Sequence, residues 1–409
     1  MTEALGRSFA SLQIHNYRRF FYGQLVSLSG NWMQNVAELW LILTLTGSGV
    51  AVGFTTALQF LPMLLFGAWG GLIADRVPKR RLLILTQTLH MVAPLAMFAL
   101  AVEGSLVPWM VFALVFVRGS VNAVDYPTRQ AFVMEMVGGE RVVNAVSLNS
   151  VLVHAARITG PAMAGVLIAT VGVQACFVVN AASFVVMIVA LATMDTEALR
   201  PSEIVEREPG AIRAALRYVR STPDLWIPLA LMAAVGTLGY NFQAILPLLA
   251  RFTFDGGAGA YAALVCAMGV GAVVGALVNG ARNSVTPWLL AAASIGFGGL
   301  ALLAAGAPTL GVEVLVLAPL GAASVTLAAS VNSALQLASE PRMRGRVMAL
   351  YSIVFLGSTP IGGPLSGWLA ETIDPRAALV MAGVAGITAG LLARAAFARV
   401  ATDPRLAAA

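Results

Sequence analysis

Long apolar segments follow one another along almost the entire chain, and most polar residues lie in short connections between them. A helix needs roughly 20 apolar residues to cross a bilayer. Only 11% of the 409 residues are charged, against about a quarter in a soluble domain, so a water-soluble fold would lack polar surface. The sequence predicts an all-α membrane protein with twelve transmembrane helices, at about 20–45, 50–74, 82–102, 106–124, 142–170, 173–194, 226–250, 258–281, 285–306, 310–335, 345–370 and 376–398.

Basic residues lie mainly in every second connection. They are Arg76, Lys79, Arg80, Arg81, Arg129, Arg141, Arg282, Arg342, Arg344 and Arg346, with Arg200, Arg207, Arg213, Arg217 and Arg220 in the central stretch and Arg394, Arg399 and Arg405 near the C-terminus. Basic residues in short loops stay cytoplasmic, so both termini and the central stretch are predicted to be cytoplasmic. The net charge of +6 follows this pattern, and no nucleic-acid partner is expected. The first apolar run is too long for a cleaved signal peptide and is expected to be retained.

Two stretches of the first half recur in the second half. Gly30 and Gln34 match Gly239 and Gln243 at the same spacing. Arg141 with Gly160-Pro161 likewise matches Arg344 with Gly363-Pro364. Because many transporters consist of such repeats, with the substrate site between them, we predict two six-helix bundles, 1–194 and 225–409, joined by a cytoplasmic linker, 195–224. Within the linker, 211–220 is predicted to form an amphipathic helix, either on the anionic inner leaflet or in solvent.

The loop after the second span reads Gly71-Leu-Ile-Ala-Asp75-Arg76-Val-Pro78-Lys-Arg80-Arg81. It resembles the signature G-x-x-x-D-R-x-G-x-R-R of the major facilitator superfamily, with Pro78 in place of a glycine. The resemblance implies that Asp75 is a gate residue that holds the cytoplasmic side shut, with Arg76 and Arg80 as its charge-relay partners. The alternative is a plain basic membrane anchor.

A second motif lies in the fifth span, where the sequence reads Arg157-Ile-Thr-Gly160-Pro161-Ala-Met-Ala-Gly165. It is similar to the Gly-Pro motif of major facilitator antiporters, and this favours export. The alternative is close helix packing at small residues.

The stretch from Tyr17 to Met194 resembles the enterobactin-exporter and macrolide-efflux-like branch of the superfamily. The matching residues include Tyr17-Arg18-Arg19-Phe20, Gly23-Gln24, Leu45-Thr46-Gly47-Ser48, Pro62, Leu148-Asn149-Ser150 and Asn180-Ala181-Ala182-Ser183-Phe184. The resemblance implies an exporter in the bacterial cytoplasmic (inner) membrane that is driven by the proton gradient.

Ionisable residues within spans are costly and therefore candidate functional residues. Glu38 is the leading candidate for proton coupling, since a carboxyl group in an apolar cavity can load and unload protons near neutral pH. Alternatively it forms a permanent ion pair or binds cationic substrate. Arg118 lies where the family places a cavity-facing arginine. Counting about 1.5 Å per residue along both spans puts Glu38 and Arg118 on the order of 10 Å apart in depth, so no direct pair is expected.

Asp125, at the inner mouth of the fourth span, is a candidate second proton site or gate, or alternatively a helix-end carboxylate in water. His90 is expected to be a packing residue. Other polar and aromatic side chains are candidates for lining the substrate cavity: Trp32, Gln34 and Asn35 in the first half, and Tyr240, Asn241, Gln243 and Asn332 in the second. The second half holds no carboxylate deep in a span, so protons are expected to move through the first half.

Taken together, these features predict a proton-coupled secondary transporter that exports a bulky amphipathic molecule, such as a siderophore or a drug. The alternatives are a membrane enzyme acting on lipids and a transport-inactive sensor. An enzyme would need clustered acid–base or metal-binding residues, but the chain has only three histidines, without metal-site spacing. No phosphate-binding glycine loop is present. We expect no cofactor, no metal and a monomer whose partners are a small molecule, protons and the bilayer.

Overall fold

The structure, a computed structural model, describes residues 10–200, 211–280 and 286–402. Within these ranges the regular elements are helices. They are α1 (His15–Thr46), α2 (Gly49–Arg76), α3 (Lys79–Val102), α4 (Pro108–Thr170), α5 (Val173–Ala192), α6 (Ala211–Ser221), α7 (Pro223–Gly239), α8 (Phe242–Leu248), α9 (Ala258–Gly280), α10 (Pro287–Ala305), α11 (Leu310–Ala338), α12 (Arg344–Gly357), α13 (Thr359–Thr372) and α14 (Pro375–Thr402). A 3-10 turn at Ala10–Gln13 precedes α1, and a π turn at Leu249–Thr253 extends α8.

Ten helical segments of the described chain are long and apolar enough to cross a membrane. They are Gly49–Arg76, Lys79–Val102, Asn144–Thr170, Val173–Ala192, Pro223–Thr253, Ala258–Gly280, Pro287–Ala305, Leu310–Ala338, Arg344–Thr372 and Pro375–Val400. The first and fourth predicted spans coincide with α1 and with the part of α4 before Gly138, two helices that carry buried charged residues. The predicted all-α membrane fold is confirmed.

The helix α4 continues well past 124, where the apolar run of the fourth span ends. It breaks at Gly138, whose φ of 69° and ψ of 171° are not helical and suit glycine because it has no Cβ. The predicted span was too short because it ended with the apolar run, before the charged residues Asp125, Arg129 and Glu135. These three side chains instead form ion pairs within the helix bundle.

Two other predicted spans each consist of two consecutive helices. The span at 226–250 is interrupted between α7 and α8 at Tyr240 and Asn241, and the span at 345–370 is interrupted at Ser358. Pro360 follows the second interruption and lacks the N–H that a continuous helix would use. The first interruption has no counterpart in α1, which is continuous through Gly30 and Gln34.

The described residues form two compact units. The first lies within Met1–Leu45 and Leu61–Glu206, and the second lies within Thr46–Phe60 and Arg207–Ala409. In the first unit a core of Tyr17, Phe20, Leu83 and Phe132 joins α1, α3 and α4. In the second unit α9 and α11 approach backbone to backbone, because a Cβ on Gly271 or Gly321 would collide with the facing carbonyl of Ala318 or Met268.

The predicted amphipathic helix is present as α6, in the second unit. Its apolar residues Ala215 and Val219 are buried, whereas Arg213, Arg217 and Arg220 are exposed. The Glu340 N–H donates to the Tyr218 hydroxyl oxygen at 3.2 Å. One face of α6 is therefore held by protein, and its basic face is exposed. Linker residues 201–210 and the predicted cytoplasmic residues Arg207, Arg282 and Arg405 lie outside the described residues.

Candidate functional site

A buried ion pair joins α1 to α4 in the first unit. Arg118 Nη2 lies 2.5 Å from Glu38 Oε2, and each residue is 2% exposed. The expectation that these residues do not pair directly was wrong. The depth estimate counted backbone rise from predicted boundaries, whereas α1 begins at His15 rather than 20, and it left out the reach of two long side chains.

A chain of hydrogen bonds extends this pair to α5. Gln34 Nε2 donates to Glu38 Oε1 at 2.6 Å, and Asn180 Nδ2 donates to Gln34 Oε1. Ser183 Oγ donates to Asn180 Oδ1 at 2.8 Å. Both Glu38 oxygens are therefore bound. Removing one partner of a buried pair costs about 3–5 kcal/mol, so this network fixes the positions of the three helices in the arrangement seen.

A second buried carboxylate, Asp125, is 5% exposed and lies inside α4. Its Oδ1 accepts from Thr86 Oγ1 and Gln87 Nε2, both at 2.7 Å. Its Oδ2 accepts from Arg129 Nη2 at 2.8 Å and from Arg129 Nε at 3.0 Å. Both the expected position at a helix mouth and the alternative of a carboxylate in water were wrong, because α3 covers this face of α4.

His90 lies between the two charge clusters. Its ring stacks on Phe184 with centroids 5.6 Å apart, and the charges of Asp125 and Arg118 act on it. The expectation of a packing residue accounts for the ring but not for His90 Nδ1. This atom is buried without a hydrogen-bond partner in the described part of the chain, as are Gln87 Oε1 and Arg118 Nε. Buried polar atoms are nearly always paired, which sets these three atoms apart from the rest of the two charge clusters.

The predicted gate residues lie where α2 ends and α3 begins. Asp75 is half-buried and Arg76 is exposed. Arg80 donates from Nε and Nη2 to the carbonyls of Leu191 and Ala192, each at 2.7 Å, and thereby binds the end of α5.

An ion pair that the sequence analysis missed lies beside these gate residues. Lys79 Nζ lies 2.8 Å from Glu135 Oε1, and both side chains are largely buried. Glu135 is an acid flanked by apolar residues on both sides, a pattern that could have identified it.

The Gly-Pro motif lies where α4 packs against α1. A Cβ on Gly160 would lie 2.5 Å from Trp32 Cβ, 2.6 Å from Ser29 O and 2.9 Å from Met33 N. Pro161 and Gly165 are buried beside this contact. The guanidinium of Arg157 lies 5.0 Å from the centroid of the half-buried Trp32 ring. The motif therefore permits a close approach of α4 to α1. Asn35, on α1, is half-buried.

The predicted cavity residues of the second unit surround an aromatic cluster. The Tyr240 hydroxyl donates to Ser324 O at 2.7 Å, and its ring meets Phe297 edge-on at 5.2 Å and Phe355 at 6.1 Å. Tyr351 stacks on Phe355 at 5.8 Å, and its hydroxyl donates to Ala328 O at 3.2 Å. Asn332 Oδ1 accepts from Gln336 Nε2 at 2.6 Å. Asn241 Oδ1 and Gln243 Oε1 are buried, and neither has a hydrogen-bond partner within the described ranges.

Glu313 was missed in the sequence because it lies near the start of an apolar run. It is the fourth residue of α11 and is 0% exposed. Because Glu313 lies in the first turn, the expectation that the second half has no carboxylate deep in a span is not contradicted, but that expectation did not foresee a fully buried carboxylate at the start of a span. As with Glu135, apolar neighbours on both sides were the available signal.

Comparison with known sequences identifies the family. The sequence profile described as transmembrane secretion effector matches residues 6–405. This chain belongs to that family. The enterobactin exporter EntS of Citrobacter koseri is 26% identical over 381 residues, 92% of this chain and 90% of the exporter. Macrolide efflux protein A of Streptococcus pyogenes is 26% identical over 379 residues, 88% of this chain and 91% of that protein. The predicted branch of the major facilitator superfamily is confirmed.

The staphyloferrin A transporter of Staphylococcus aureus is 24% identical over 263 residues, and the match covers 63% of this chain and 65% of that transporter. Among solved structures, the nucleoside transporter NupG has a TM-score of 0.75 at 12% identity and covers 93% of this chain and 99% of its own. A bacterial homologue of the lysosomal transporter Spinster has a TM-score of 0.68 at 13% identity and covers 95% of this chain and 96% of its own. The protein is a multi-pass membrane transporter of the major facilitator type.

Proposed function

We propose that this family member exports a bulky amphipathic small molecule, a siderophore or a lipophilic drug, in exchange for protons by alternating access. The observation that carries the proposal is the buried Glu38–Arg118 pair, linked by hydrogen bonds across α1, α4 and α5. Such charges are expensive in a membrane and mark transport pathways. The names of the relatives, an enterobactin exporter and a macrolide efflux protein, support the direction and the kind of substrate.

Coupling is proposed to work by competition for Glu38. Both Glu38 oxygens are bound, so a proton that arrives there must displace Arg118 or Gln34. A neutral Glu38 no longer holds the guanidinium, and Arg118 becomes free to bind an anionic or carbonyl oxygen of the substrate. Asp125 with Arg129 is the proposed second proton site and repeats this chemistry. The alternative is that Glu38 attracts cationic substrate. In that case Glu38→Gln should weaken the binding of cations alone.

The test is transport in proteoliposomes with a panel of siderophores and drugs under an imposed pH gradient. Glu38→Gln preserves size and removes titration, so we expect substrate exchange to persist while accumulation driven by the pH gradient is lost. Glu103→Gln, an exposed carboxylate of the same unit, is the matched control and should transport normally. If Glu38→Gln weakens the binding of cations alone and leaves pH-driven export of neutral substrates intact, Glu38 is not the coupling site.

We further propose the cytoplasmic placement of both termini, the two six-helix bundles joined by 195–224, a monomeric state and the gate role of Asp75.

Asp75→Asn should cut transport at least several-fold without lowering expression, since Asp75 is half-buried at a helix end. The exposed Glu140→Gln variant is the control. Transport by Asp75→Asn at the wild-type rate would leave the loop as an anchor only.

A further inference from the structure

Glu313 is the buried carboxylate that the ion pairs and hydrogen bonds described above leave out. It lies in the first turn of α11, and none of its side chain is exposed. Neither Oε1 nor Oε2 has a hydrogen-bond partner among the residues that the structure describes. By contrast, the buried carboxylates of Glu38, Asp125 and Glu135 each lie within 2.8 Å of a basic nitrogen.

The charge that acts on Glu313 is Arg376, near the start of α14. The guanidinium of Arg376 is engaged elsewhere, since Nη2 donates to Ala307 O at 2.7 Å. The helices packed against α11 carry further titratable or charged groups: Asp224 on α7, Tyr261 and Cys266 on α9, and Arg344, Arg346 and Tyr351 on α12. Among the described residues, none of these groups forms an ion pair with Glu313.

An ionised carboxylate in this position would be buried with no ion-pair or hydrogen-bond partner among the described residues, and Arg376 would act on it only from a distance. The cost of desolvating a charge is much larger than the stabilisation that a helix N-terminus gives to an anion. A protonated carboxyl group avoids most of this cost. In water, a glutamic acid side chain is ionised at neutral pH. The side chain must therefore take up a proton when it passes from water into the position seen here.

We propose that Glu313 is a proton-binding site of the second unit, occupied in this conformation and emptied when water reaches the start of α11. On emptying, the carboxylate attracts Arg376 away from Ala307 O, which frees the connection between α10 and α11. Binding of one proton to Glu313 is thus linked to the contact of Arg376 with Ala307 O, which holds the connection between α10 and α11 in place. Only the use of that proton to drive export rests on the function proposed above.

Infrared spectroscopy of the purified full-length protein tests the site directly, because a protonated carboxyl group has its own carbonyl stretching band. At neutral pH we expect the spectrum of the Glu313→Gln variant to lack one protonated-carboxyl band that the wild-type spectrum contains. The exposed Glu371, which accepts from Ser48 Oγ at 2.6 Å and from the Val50 N–H at 2.9 Å, supplies the control. Glu371→Gln should instead lose an ionised-carboxylate band.

If the Glu313→Gln difference spectrum shows the loss of an ionised-carboxylate band, or of no band, the proposal is overturned. Arg376→Gln keeps Glu313 and provides a second variant. It should retain the protonated band, because Arg376 does not hold the proton, and disappearance of that band would also refute the site. The spectra do not depend on transport. A wild-type protein with the band but without pH-driven export would contradict the proposed function and leave the proton site standing.

Discussion

At the scale of the residue, Glu38 and Arg118 depend on each other. Each is 2% exposed, and their charged atoms lie 2.5 Å apart. In a bundle interior a lone charge is destabilising, whereas a matched pair is tolerated. The proton coupling proposed for Glu38 would therefore act on a pair that also contributes to the stability of the first unit.

This mutual dependence predicts strong non-additivity. Arg118→Met leaves the Glu38 carboxylate buried with Gln34 as its remaining donor and should lower the free energy of unfolding by about 3–5 kcal/mol. Adding Glu38→Gln removes the stranded charge, so the double variant should recover most of that loss. Thermal unfolding in detergent measures both variants. Additive losses would show that the pair is not a unit.

The sequence allows the main charged residues of the site to be identified, but it does not allow their contacts with other helices to be predicted. Glu38, Arg118 and Asp125 are recognisable because charges inside apolar runs are rare. Their partners are not, because Thr86, Gln87 and Asn180 lie on other helices, and the sequence alone does not fix which helix faces meet. Glu313 was missed because it lies at the start of a predicted span, and Glu135 because it lies in a predicted connection between spans.

At the scale of the element, the contact of α1 with α4 depends on the absence of a side chain at Gly160. The atoms that a Cβ would meet there include the backbone of Ser29 and Met33, which cannot rotate away. Helix existence was predictable from apolar length. The breaks at Gly138 and at Tyr240–Asn241 were not, because they arise where tertiary contacts replace helical ones.

Gly160→Ala should therefore destabilise the protein by about 1–3 kcal/mol, the usual cost of overpacking. Gly139→Ala is the matched control on the same helix, because nothing lies within 4 Å of its added Cβ. Melting temperatures of the two variants in the same detergent provide the comparison. Equal stability of the two would mean that α4 moves away from α1 at little cost.

At the scale of the whole molecule, the alternation of basic connections predicts which ends share a side of the membrane. Ser221, the last residue of α6, and Thr372, the last residue of α13, are both exposed. In a background with Cys176 and Cys266 replaced by serine, Ser221→Cys should react with an impermeant thiol reagent only from the cytoplasm. Thr372→Cys should react only from outside. Labelling of both from one side would refute the predicted twelve-span topology.

The buried ion pairs have a consequence for the membrane potential. Glu38–Arg118, Asp125–Arg129 and Lys79–Glu135 each sum to zero charge. Moving one elementary charge through a potential of 100 mV takes about 2.3 kcal/mol, but a pair that moves together does no electrical work. A pair whose two charges separate along the field does perform electrical work. The voltage dependence of transport currents in planar bilayers thus reports whether these partners travel together or part.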